Sequence, residues 1–133
     1  MKERYIIDAG PLSLFFAGKK DVKKYFEEMY AGNIEIYMSE VNLAEFLYHY
    51  IIKKGKEIAL ARYKYIRNSP MKIIPPNEVI TETAGLLKSK YQYLSLADAF
   101  LIATAKEVKG TVITTDEDIE KTGEVKVIRI PLD

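Results

Sequence analysis

The sequence predicts an α/β layered fold around a mostly parallel central sheet. Five short apolar runs, each too short for a helix, alternate with longer stretches of helical periodicity in the order β-α-α-β-α-α-β-α-α-β-α-β. At 133 residues with 48% hydrophobic and 29% charged residues, the chain is long enough to bury one core without staples. Two of the apolar runs end in carboxylates, which places acids along one edge of the sheet. No internal repeat, low-complexity tract or Gly/Ser linker divides the chain, so residues 1–133 are expected to form one domain.

The elements follow in order. Arg4-Tyr5-Ile6-Ile7 reads as a buried strand that stops at Asp8, and Ala9-Gly10-Pro11 then opens a helix near Pro11. Leu12 to Phe16 and Val22 to Tyr30 carry helical periodicity interrupted by Gly18. Ile34 to Met38 is a second strand, after which Ser39 caps a helix running to about Lys53. Another helix starts at Gly55 and stops at Asn68-Ser69-Pro70. Met71 to Ile74 is a third strand, ended by Pro75-Pro76, and Asn77 caps a helix over Val79 to Lys90. A helix from about Ser95 to Lys109-Gly110 precedes the fourth strand, Thr111 to Thr114. Thr115 and Asp118 have the spacing of a capping box, and Val125 to Ile130 is the fifth strand.

The least polar stretch, Ser95 to Ala105, contains a single carboxylate, Asp98, on the helical face of Leu101, Ile102 and Ala105. A buried, unpaired carboxylate costs several kcal/mol, so something must compensate it. One compensation is structural, a capping box with Ser95. The other is a cation, which requires further acids. Asp8 and Asp116 stand at the carboxyl ends of strands, and Glu45 lies on a helix in a polar stripe with Asn42 and His49. Four such carboxylates in one cleft repel one another unless a divalent cation binds or some hold protons. Oxygen-only ligands favour Mg²⁺ or Mn²⁺ over zinc. Several of these residues also have a purely structural reading: helix capping for Asp8 and Asp118, an ordinary groove-edge Glu for Glu45, and a packed or surface role for His49.

Composition removes several classes. The chain has no cysteine, so it forms neither disulfides nor thiolate metal sites, and an intracellular, cytoplasmic setting is expected. No signal peptide or transmembrane run is expected. With 20 Lys+Arg against 19 Asp+Glu, any nucleic-acid contact must rest on local patches.

In its motifs the sequence resembles the PIN-domain family, and within it the small VapC-type toxins. Ile6 to Gly10 resembles the first acidic motif, Ser39 to Glu45 the second, Leu96 to Ala105 the third, and Thr114-Thr115-Asp116 the fourth. Two departures stand out: Gly10 replaces the Ser or Thr of many relatives, and Ile119 follows Asp118 where an aromatic residue is common. The resemblance implies a three-layer α/β/α fold with sheet order 3-2-1-4-5 and a metal-dependent ribonuclease. Asp8, Asp98 and Asp116 would be direct or water-mediated ligands of one or two Mg²⁺ or Mn²⁺ ions, and Glu45 a ligand or water orienter. Thr114, Thr115, Asn42 and Asp118 would support them. Homodimers are implied, and for a toxin an antitoxin segment filling the cleft. RNA selectivity would rest on groove shape and scattered basic residues such as Arg62, Arg67, Lys88 and Lys90. Competing readings are a housekeeping RNA-processing nuclease, a non-catalytic interaction module of the same fold, and a phospho-acceptor receiver module. The last normally carries an acidic pair near its first strand and a Lys at a late strand end; Arg4 and Pro75-Pro76 stand here instead.

Overall fold

The computed structural model describes residues 2–132. Its five strands, β1 (Glu3–Ile7), β2 (Ile34–Ser39), β3 (Lys72–Ile74), β4 (Thr111–Thr114) and β5 (Val127–Arg129), form one sheet in the order β3-β2-β1-β4-β5. Every pairing is parallel, with Ile6 opposite Tyr37 on one side and opposite Val112 on the other. Among the described residues the helices are α1 (Ala9–Phe16), α2 (Lys20–Tyr30), α3 (Glu40–Lys54), α4 (Lys56–Arg67), α5 (Glu78–Lys90), α6 (Leu96–Val108) and α7 (Glu117–Lys121).

The apolar strands are explained by burial on both faces. Successive side chains alternate across a strand. Ile7, Ile36, Met38 and Ile113 accordingly enter one core with Leu12, Phe26, Leu43, Phe46 and Ile66 from α1 to α4. Ile6, Tyr37 and Val112 enter the other with Ile80, Leu87, Leu101 and Ile102 from α5 and α6. The result is the expected three-layer α/β/α architecture. No helix among the described residues is long and apolar enough to cross a membrane.

Several boundaries differ from expectation. The first helix begins at Ala9, so Pro11 lies inside its first turn, where a missing N–H costs little. The fifth strand is shorter, Val127–Arg129. The predicted capping box of Thr115 with Asp118 does not form. β4 ends at Thr114, whose Oγ1 accepts from the Asp116 N–H at 3.0 Å, and Asp116 itself caps α7 by accepting from the Asp118 N–H at 2.8 Å.

In this strand order β1 is flanked by β2 on one side and β4 on the other. The chain therefore winds in opposite directions from β1, and a crevice opens at the carboxyl ends of β1 and β4. Asp8 and the segment Thr114 to Asp116 lie at that crevice.

Candidate active site

Asp8 leaves β1 with its N–H bonded to the Ile113 carbonyl at 3.0 Å, which ties it to the neighbouring strand. The residue is 7% exposed. Oδ1 accepts from the Ala9 N–H at 2.8 Å as the cap of α1, and Oδ2 accepts from the Thr114 hydroxyl at 2.7 Å. Burial nevertheless pushes this carboxyl up to about 7, with the nearby Asp98 and Glu45 charges adding to the rise and the two hydrogen bonds opposing it. Asp8 is thus at once the cap of α1 and a carboxyl whose charged form burial disfavours.

Asp98 holds the same double position. It occupies the first turn of α6, where Ser95 Oγ accepts from its N–H at 3.0 Å and its Oδ2 accepts from the Ser95 N–H at 3.4 Å. The expected capping box is present, yet the half-buried carboxylate also faces the cleft. Desolvation first, then Asp116, raises its pKa. Glu45, on α3, is raised by desolvation and by Asp98, and lowered by His49 and Asn42.

These four carboxylates line one cleft of about 280 Å³ together with Gly10, Ser13, His49 and Thr115. None of them has an ion-pair partner among the described residues, whereas Glu35, Glu40 and Glu124 are each paired with Arg or Lys. The acids influence one another, no Lys or Arg among the described residues pairs with them, and His49 offsets only part of the rise at Glu45. Among the described residues no three acids or histidines close into a preassembled metal-ligand cluster. The donor set is nevertheless oxygen-rich, and it suits a hard cation that retains several waters and needs only one or two carboxylates directly.

The supporting residues divide. Asn42 is fully buried and donates through Nδ2 to the Ala97 carbonyl at 3.1 Å, which ties α3 to the start of α6 and so sets Glu45 against Asp98. Its Oδ1 is buried without a partner. Thr114 is fully buried and bonds both Asp8 and Asp116, whereas Thr115 lines the cleft. Asp118 lies outside the cleft lining and pairs with Lys121 at 3.6 Å, although its charge still reaches Asp98. His49 does line the cleft, with its ring stacked on Tyr48 at 4.1 Å.

The structure adds one lining residue that no motif marks and accounts for the glycine at position 10. Ser13 of α1 lines the cleft without any motif to mark it. Gly10 is explained by Thr115: a Cβ at position 10 would stand 2.8 Å from Thr115 Oγ1, so the threonine hydroxyl fills the space of the side chain that Gly10 lacks.

The profile of the family described as PIN domain matches residues 5–125. Among solved structures, VapBC2 from Rickettsia felis, determined with a DNA fragment from the promoter, is similar over 95% of this chain and 98% of its own, with a TM-score of 0.79 and 18% identity. FitAcB from Neisseria gonorrhoeae is similar over 94% of this chain and 96% of its own, with a TM-score of 0.74 and 18% identity. VapC20 from Mycobacterium tuberculosis, described as a Sarcin-Ricin loop cleaving toxin, is similar over 92% of this chain and 98% of its own, with a TM-score of 0.72 and 16% identity. Among curated proteins none matches.

Proposed function

Because the chain belongs to the PIN-domain family, we propose that its acidic cleft hydrolyses RNA phosphodiester bonds with the help of Mg²⁺ or Mn²⁺. The observation that carries this reading is the set of four carboxylates, without Lys or Arg partners among the described residues, at the β1/β4 crevice. An ion held there would lower the pKa of water and stabilise charge on the phosphoryl and leaving oxygens.

Asp8, Asp98, Asp116 and Glu45 are the residues that would hold it. Asp8 supplies a carboxylate fixed by Thr114 and the Ala9 N–H, so it needs little reorganisation. Asp116 is oriented by the Asp118 N–H on one oxygen, which leaves the other for the cleft. Glu45 and Asp98 come from helices that Asn42 joins. His49 and the Thr115 hydroxyl border the same space and can donate hydrogen bonds to substrate oxygens. A buried Asp8 with a pKa near 7 also links activity to pH, because the cation competes with a proton.

The reading takes residues 1–133 as one domain acting in the cytoplasm. The toxin role is supported by the likeness to VapBC2 and to the cleaving toxin VapC20, and it carries an antitoxin protein as partner. A homodimer is supported by Tyr48, Ile52 and Tyr65, exposed at 51, 79 and 41% on α3 and α4. The test is cleavage of an unstructured labelled RNA. It should occur with millimolar Mn²⁺ and stop with chelator; intact RNA under both conditions would defeat the proposal.

A further inference from the structure

A cleft lined by four carboxylates is a poor place to bring a polyanion. Bound divalent ions would offset the acids around the scissile phosphate, but the phosphates on either side still need cations of the protein. The basic residues that the sequence suggested are mostly committed elsewhere. Arg67 pairs with Glu40, Lys90 with Glu124, and Lys88 donates to the Gln92 carbonyl. Arg62 alone of the four has neither an ion pair nor a hydrogen bond among the described residues.

Arg62 belongs to a second groove, of about 330 Å³, between α1, the end of α3 and α4. Lys53 and Lys54 line it as well, and none of the three cations has a carboxylate partner among the described residues. The Arg62 guanidinium is held 5.0 Å from the centre of the Phe16 ring, which fixes a side chain that would otherwise lose considerable rotamer freedom on binding. The groove adjoins the acidic cleft: Ser13 lines both. On α3, Glu45, His49 and Lys53 succeed one another at four-residue intervals, so one helix face passes from acid to base over about 12 Å.

We propose that Ser13, Lys53, Lys54 and Arg62 form a phosphate-binding subsite for the nucleotides of a single RNA strand flanking the bond held in the acidic cleft. This rests on the nuclease reading. The juxtaposition of an uncompensated basic groove with an uncompensated acidic cleft along α3 is its ground. The groove offers charge without base-reading groups, so it positions the strand and leaves sequence choice to other contacts.

The test compares the wild type with the double variant Lys53→Gln/Lys54→Gln, whose side chains are exposed, and with Lys53→Arg/Lys54→Arg. Affinity for an unstructured labelled RNA is measured without metal as a function of salt, and hydrolysis of bis(p-nitrophenyl) phosphate is measured with Mn²⁺. Loss of two phosphate contacts should weaken RNA binding about tenfold at low salt and flatten the log–log salt slope by about 1.4. The arginine variant should keep both properties. Hydrolysis of the small diester, which does not reach the groove, should be unchanged. The lysines also close the C-terminal turn of α3, so a melt of each variant ensures that binding is read on folded protein. RNA affinity and salt slope equal to wild type would overturn the subsite. So would a loss of affinity for polyglutamate with none for RNA, which would assign the groove to an acidic protein segment. If the wild type hydrolyses neither RNA nor the diester, the nuclease reading fails, while a changed salt slope still upholds the groove as an RNA-binding surface.

Discussion

Replacing Asp8 by Asn should stabilise the metal-free protein at alkaline pH. In the folded chain burial holds this carboxyl at about 7, against 3.8 for a free side chain. Between those values the native state keeps a proton that the unfolded state has released, so stability falls as pH rises. At about 1.4 kcal/mol per unit over roughly three units, the penalty reaches about 4 kcal/mol above pH 7 and vanishes below pH 4. Asparagine removes the charge and keeps the shape, but an amide nitrogen facing the Thr114 hydroxyl replaces an acceptor 2.7 Å away, at a cost of about 1–2 kcal/mol. The net expectation is a gain of about 2 kcal/mol at pH 8, or roughly 6–10 °C in Tm for a chain of this length, turning into a loss of about 1 kcal/mol at pH 4. Thermal melts of both proteins in chelator across this range measure it. Millimolar Mn²⁺ at pH 8 should raise the wild-type Tm and leave the variant nearly unmoved, because a ligand of the native state stabilises by mass action. An equal loss at every pH, with no response of either protein to Mn²⁺, would show that Asp8 acts only as a cap.

Other perturbations test separate parts of the account. Glu124, which accepts from Tyr91 and pairs with Lys106 and Lys90, has its carboxyl drawn down to about 2, so it stabilises above pH 4.5 and loses that contribution as pH falls through 2; Glu124→Gln should lower stability at pH 7 by about 1–2 kcal/mol and leave it unchanged near pH 2, as acid and neutral melts would show. Gly10→Ser should cost about 1 kcal/mol through its clash with Thr115, and Thr115→Ala in the same chain should recover it; additive losses in this double-mutant cycle would remove the contact. Light scattering at micromolar concentration should give a dimer; a 15.2 kDa species at all accessible concentrations would dismiss it.

Much of the fold was legible because each strand is a short apolar run bounded by a breaker, and two-sided burial is what makes those runs apolar. The expected order of elements and of strands is the one found. Asp8 and Asp116 were readable as site candidates because strand ends at one edge of a parallel sheet converge. Asp98 was readable from its conflict with an apolar helix. What stayed hidden depends on contacts distant in sequence. Asn42 bonds a carbonyl 55 residues away, and no local pattern announces that. The capping of α7 was misassigned because the Thr115 hydroxyl packs against Gly10, while Thr114 turns the backbone so that Asp116 takes the capping position. Ser13 lies in an otherwise apolar helix, and only the packing of α1 beside α3 turns it towards the cleft.

The central claim is that these acids act together on an RNA phosphodiester, and Asp98→Asn tests it most directly. The substitution keeps the shape of the side chain at the Ser95 cap and removes one charge from the cleft. Initial rates of cleavage of an unstructured labelled RNA in Mn²⁺ are to be compared for wild type and variant, with metal-free melts on the same preparations. The rate should fall at least about a hundredfold, with a melting temperature equal to the wild type or slightly higher. A variant that cleaves RNA at the wild-type rate and melts far lower would contradict it, leaving Asp98 as a helix cap alone.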